Sequence, residues 1–357
     1  MRSARLEMAL NSGLLMLPAS GPVAVYRPHI GDDLTPLGRG RVVVQTGFRP
    51  EHDHFAAQGY GIQPAAPYAA AVVCLPRARA QARAMIAAAL AQVLPGGPVL
   101  VDGQKTDGVD AVLKDCRSAG LQPGEPLAKA HGRAFVLRAG PVPAGWAATR
   151  RAIDGGFVTS PGSFSAGAPD AGSVLLAAAL PAVIKGRVLD LGAGWGFLAR
   201  ALLAAALPAA IKGRVLDLGA GWGFLARAVL ERPGVTELHL VEAEAEAESL
   251  DCARENITDP RAVFHWADAT TFRAPHLAQA VVMNPPFHQG RAADLTLGVN
   301  FLKAAQRNLA PDGALYMVAN RHLPYAPALA GLFRQVEELP GSPAFRVTKA
   351  SFPVRSR

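Results

Sequence analysis

Cysteine is scarce in this chain. Cys74, Cys116 and Cys252 are the only three in 357 residues, an odd number at wide spacing. That pattern excludes a disulfide framework and a thiolate metal site, and it fits a reducing cytosol. Long apolar runs are also missing, so no segment is expected to span a bilayer. Arg2 and Arg5 precede the stretch from Gly13 to Pro18, but Glu7, Asn11 and Ser12 interrupt it, so no secretion signal is expected there. No metal-ligand cluster, paired acid and base, or Ser/His/Asp arrangement stands out. The expectation is therefore a cytoplasmic protein, monomeric, with neither a metal nor a membrane as partner.

The length suits two domains, each able to bury its own core. Charge divides unevenly between them. Residues 1–150 hold 16 Lys+Arg against 10 Asp+Glu, a balance of +6, whereas residues 151–357 hold 20 against 18, a balance of +2. A basic front half suits a polyanion such as RNA. Strands are expected at Arg41–Gln45, Ala70–Leu75, Pro98–Asp102 and Ala134–Arg138, with helices at Gln81–Leu94 and Val109–Ala119. This alternation implies a mostly parallel sheet without a glycine-rich turn. Gly140–Ala147 reads as the linker between the two domains.

The back half is organised around a tandem repeat. Residues 175–201 recur as 202–228, and only Val183 against Ala210 differs. Each copy runs Gly-Arg-Val-Leu-Asp-Leu-Gly-Ala-Gly-Trp-Gly, an apolar strand ending in an acid, then a glycine-rich turn, then a helix. Glycine lets backbone N–H groups approach a ligand closely, and the helix start favours an anionic group. The spacing of Gly219, Gly221 and Gly223 after Asp217 is tighter than the dinucleotide fingerprint. It resembles the first motif of class I S-adenosylmethionine-dependent methyltransferases. Downstream, Glu237–Val241 forms a strand ending at Glu242, where an acid commonly binds ribose hydroxyls. Ala262–His265 leads to Asp268, placed to meet an adenine amino group.

The next strand, Ala278–Met283, ends in Asn284-Pro285-Pro286-Phe287. The prolines fix the backbone, so the Asn284 amide and the Pro285 carbonyl become preset acceptors for a planar exocyclic amine. Phe287 can stack on the base that carries that amine. His288, Arg291 and Arg321 flank the pocket as surface or RNA-contact residues. After these come a helix over Leu295–Leu309, a turn at Pro311–Gly313, a strand over Ala314–Ala319, a helix to Phe333 and a last strand near Ala344–Thr348.

Gly162-Ser-Phe-Ser, Asp170-Ala-Gly-Ser, the Asn284–Gly290 run and Val318-Ala-Asn-Arg-His-Leu-Pro-Tyr325 together resemble the bacterial ribosomal RNA guanine-N2 methyltransferases, most closely the 16S enzyme. The resemblance implies a Rossmann-like catalytic domain over 151–357 with a seven-stranded sheet. A degenerate methyltransferase-like α/β domain over 1–150 would precede it and help hold substrate. It implies S-adenosyl-L-methionine (AdoMet) as cofactor and rRNA of the small subunit as partner. Asp217, Gly219, Gly221, Gly223, Glu242, Asp268 and Asp170 would bind the cofactor, and Asn284 to Phe287 the target base. Asp190, Gly192, Gly194 and Gly196 form the alternative cofactor turn. Family members have one such turn, so the surplus copy is expected to enter away from the ligand, leaving an unpaired strand. The second copy is favoured as the functional one because it leads into the next strand; against it, the first directly follows Asp170–Ser173. Two other functions fit the residues: N6-adenine methylation of RNA or DNA, and RNA binding without catalysis.

Overall fold

Runs of valine and alanine build the first sheet. In the computed structural model, α1 (Arg2–Asn11) precedes β1 (Val23–Tyr26), β2 (Val42–Gln45), α2 (Arg49–Ala57), β3 (Ala70–Cys74), α3 (Arg79–Gln92), β4 (Pro98–Gln104), α4 (Val109–Ser118), β5 (Leu127–Lys129) and β6 (Gly132–Arg138). The structure describes residues 2–153, 157–161, 172, 175–176, 179, 188–191, 213–218, 235–242, 249–256, 258–260, 262–285, 288–289, 292–293 and 295–355. They fall into two units, Met1–Arg150 and Arg151–Arg357.

The sheet of the first unit has the order β2-β1-β3-β4-β6-β5. Its first four strands are parallel, and β6 and β5 close it as an antiparallel pair. Both faces are covered, as a parallel sheet requires. Alternate residues separate cleanly: Val73 and Val101 pack with Ile86 of α3 and Val112 of α4. Val72 and Leu100 pack with Leu6 of α1 and Phe55 of α2. A buried charge pair fastens α1 to the sheet. Arg5 Nε donates to Asp102 Oδ2 at 2.6 Å and Nη2 to Oδ1 at 2.8 Å, while Nη1 reaches the carbonyls of Lys129 and Ala130. Arg2 joins the same carboxylate to Asp32. Such burial is tolerated because every charge has a fixed partner. The stretch expected to be a linker belongs to this unit: Trp146 is buried in its core, with the Arg83 guanidinium over its ring.

The second unit contains β7 (Arg151–Ile153), β8 (Phe157–Thr159), β9 (Val188–Leu191), β10 (Gly213–Leu218), β11 (Val235–Glu242), α5 (Ser249–Asn256), β12 (Ala262–Trp266) and β13 (Ala278–Met283). These are followed by β14 (His288–Gln289), β15 (Ala292–Ala293), α6 (Leu295–Asn308), β16 (Leu309–Asn320), α7 (Ala326–Leu332), β17 (Phe333–Leu339) and β18 (Phe345–Pro353). Its main sheet has eight strands in the order β12-β11-β10-β9-β13-β16-β18-β17.

Seven strands were expected, and the eighth comes from the repeat. Both copies enter the sheet side by side, parallel and in matching register, Leu216 opposite Leu189, Asp217 opposite Asp190 and Leu218 opposite Leu191. Neither copy forms an unpaired edge. β9 pairs with β13 on its other side and β10 with β11, so each strand finds backbone partners on both flanks. The surplus strand is thus absorbed at the centre of the sheet, where identical strands can share one ladder. β16 also differs from expectation: Pro311–Gly313 lies inside it, where its register against β13 shifts between Ala278 and Ala280. β17, unanticipated, forms an antiparallel hairpin with β18.

The two units share half of one topology. From centre to edge, β3-β4-β6-β5 and β13-β16-β18-β17 follow the same plan: two parallel strands, then an antiparallel hairpin drawn from the end of the unit.

Candidate active site

Parallel strands bring their carboxyl ends to one edge of the sheet, and in the second unit that edge gathers the acids and the amide picked out from sequence. From β9 the chain adds β10, β11 and β12 on one side, then returns to pair β13 on the other. The carboxyl ends of β9 and β13 therefore flank the topological switch point, where open α/β sheets take their ligands.

Asn284 follows directly on Met283, which pairs with Leu191 of β9 and Met317 of β16. Met283 is fully buried, Pro285 is buried and Asn284 half-buried, so the corner starts from a fixed strand end. The hairpin of β14 and β15 follows, His288 opposite Ala293. Pro286 and Phe287 lie outside the described residues. So do Asp170, Gly192, Gly194, Gly196, Gly219, Gly221 and Gly223; Asp190 and Asp217 are described as strand residues of β9 and β10.

Glu242 ends β11 and is buried, with its carbonyl accepting from the amide N–H of Ala267. Asp268, two residues beyond β12, caps its own turn. Its Oδ1 accepts from Thr270 N at 2.8 Å and Thr270 Oγ1 at 2.7 Å, and its carbonyl accepts from Phe272 N at 2.9 Å. The end of α6 holds this loop. Arg307 Nη2 donates to the Thr270 carbonyl at 2.8 Å, and buried Asn308 accepts from Ala274 N at 2.8 Å while donating to the Phe272 and Ala304 carbonyls. Burial and nearby Arg273 hold the Arg307 guanidinium below its ordinary value, opposed by Asp268. Arg307 and Asn308 escaped sequence reading because they bond backbone groups some 35 positions away, as Arg307 does Phe272.

Arg321, read from sequence as a surface or RNA-contact residue, is engaged within the protein. Its guanidinium donates to Glu338 and to the carbonyls of Ser342 and Phe345. At the start of the unit, Asn256 of α5 clasps β8, accepting from Val158 N at 3.1 Å and donating to its carbonyl at 3.2 Å. Among the described residues no group of His, Cys, Asp and Glu could hold a metal, and no helix is long and apolar enough to cross a membrane.

Carboxylates at the ends of β11 and β12 suit a ligand rich in donors. Ribose hydroxyls and an adenine amine are such donors; a phosphate is not. The residues present thus fit the adenosine of AdoMet, and the half-buried amide at the switch point fits a planar amine.

An eight-stranded, mostly parallel sheet with a terminal antiparallel hairpin and this edge chemistry defines a class I AdoMet-dependent methyltransferase. The sequence model of the methyltransferase small domain matches residues 154–205 and 199–349, the second match starting in the last residues of the first copy of the repeat, and the chain belongs to that family. Ribosomal RNA small subunit methyltransferase C of Pseudomonas paraeruginosa is 31% identical over 302 residues, 81% of each chain. Ribosomal RNA large subunit methyltransferase G of Pseudomonas entomophila is 41% identical, but over 86 residues, 24% of this chain and 23% of that protein. The solved structure of the T. thermophilus 16S rRNA N2 guanine methyltransferase, in complex with AdoMet and guanosine, superposes with a TM-score of 0.67 at 26% identity, covering 94% of this chain and 89% of that one.

Proposed function

We propose that this protein is an AdoMet-dependent methyltransferase that methylates N2 of a guanine in ribosomal RNA, with the small subunit as its source. The observation that carries the reading is the Asn284-Pro285 corner at the end of β13, one strand from the glycine-turn strand β9. Likeness along four-fifths of the chain to a small-subunit enzyme, against a quarter for a large-subunit one, favours the small subunit.

AdoMet supplies a methyl group on a sulfonium, which an amine can take by in-line displacement. The protein's share is alignment. The target guanine is turned out of its stack and received at the corner, with Phe287 as stacking partner. The lone pair of its exocyclic amine is delocalised into the ring. Acceptors at the Asn284 amide and Pro285 carbonyl draw on its hydrogens and favour the pyramidal, nucleophilic nitrogen. Their rigidity comes from Pro285 and Pro286, which need no reorganisation as charge develops. No general base is required, because the proton can leave after attack. One of the two glycine turns, after Asp190 (Gly192, Gly194, Gly196) or after Asp217 (Gly219, Gly221, Gly223), holds the cofactor. Asp170, Glu242 and Asp268 are the acids expected around it, Glu242 standing on the strand next to β10. The first unit, with its +6 balance, grips RNA through phosphate contacts. It has no counterpart of the amide: β3 is followed by buried Leu75 and then Pro76, where β13 is followed by Asn284 and Pro285.

Asn284→Ala tests this division. Methyl transfer should fall by about 10²–10³-fold, as for loss of one preset polar group in a reaction centre, while AdoMet affinity by calorimetry stays within about threefold. Equal loss of both would refute the assignment.

A further inference from the structure

The family reading leaves two identical turns competing for one cofactor, and the strand order discriminates between them. Only β9, the strand of the first copy, borders the switch point; its neighbour across that crevice is β13, which delivers Asn284. β10, the strand of the second copy, is separated from β13 by β9 and borders β11, which delivers Glu242. With strands about 4.8 Å apart, a single copy would leave β11 and β13 about 10 Å from each other, whereas the doubled sheet sets them about 14 Å apart. In the doubled sheet no strand lies beside both. The start of the first copy also belongs to the switch-point side: Leu176, its second residue, is fully buried against Ala280 of β13 and Tyr316 of β16.

We propose that the first copy is the cofactor strand of the full chain, and that the second copy is a spacer that uncouples Glu242 from the site. The inference rests on the AdoMet reading above. In the doubled sheet the strand next to β9 offers no acid at the height of Glu242. Asp217 is level with Leu240, two register steps short, about 6.6 Å along the strand. Leu218, level with Val241, is followed in sequence by Gly219. Removing residues 202–228 leaves one copy, restores the seven-strand order and brings β11 next to the cofactor strand, so Glu242 regains its place.

The test is calorimetric titration of AdoMet into the full chain and into the chain lacking residues 202–228. In the full chain, Gly192→Val should weaken binding at least tenfold more than Gly219→Val. Independently of those glycines, Glu242→Gln should weaken binding at least tenfold more in the shortened chain than in the full chain. Circular dichroism melts of the same variants check that each is folded. A larger loss from Gly219→Val than from Gly192→Val in folded protein would overturn the proposal. So would an equal Glu242→Gln effect in both chains, or binding by the shortened chain alone. If neither chain binds AdoMet, the cofactor reading itself fails together with the inference.

Discussion

Asp115 illustrates how one side chain can couple stability to pH. Its carboxylate, on α4, accepts from the guanidinium groups of Arg79 and Arg83 at the start of α3, so it ties the two helices on one face of the first sheet. Hydrogen bonds from Arg79, then Arg83, hold its pKa well below the usual carboxylate range against the opposing effect of burial. A depressed carboxyl stabilises the fold at any pH above its unfolded value, near 3.9, and that contribution is lost as pH falls toward the folded value. Asp115→Asn should therefore lower the melting temperature at pH 7, and the gap to wild type should narrow below about pH 4. A gap independent of pH would show that the carboxylate charge contributes nothing. The buried thiol of Cys74, at the end of β3, behaves oppositely: burial pushes it up to about 12, which leaves it an inert core residue.

Helix α6 follows the corner in the chain and holds the Asp268 loop. Its C-terminal Arg307 and Asn308 hold residues 270–274, and its first turns follow the hairpin that continues from Asn284. Near its start, Gly298 is buried against Tyr325, and a Cβ there would meet the ring Cζ at 2.6 Å. Gly298→Ala should destabilise the protein by about 1–3 kcal/mol, the usual range for overpacking a filled core; an unchanged thermal melt would contradict that packing. The sequence announced α6 by its apolar period and β13 by an apolar run ending at a diproline. It could not announce β17, whose residues are exposed along nearly their whole length, with only Phe333 buried. Nor could it say where the second copy would go. Two identical strands have identical local preferences, and the choice between an edge and the sheet centre is made by pairing with β11 and β13, which are distant in sequence. The acids and the asparagine were legible because each stands at a strand end; the groups that hold them, such as Asn308, were not.

At the scale of the whole chain, two units with the same sheet-edge plan have diverged in chemistry. The first keeps the parallel strands and closing hairpin, carries most of the basic charge, and has leucine where the second has an amide. The second concentrates acids and the rigid corner along one edge. The proposed function gives the first unit the grip on RNA and the second the methyl transfer. The most direct measurement is transfer from methyl-labelled AdoMet to small subunits, large subunits and naked rRNA in parallel, followed by digestion of the RNA to nucleosides. The account predicts label in N2-methylguanosine from small-subunit RNA. Label in N6-methyladenosine, or none in any RNA, would contradict it.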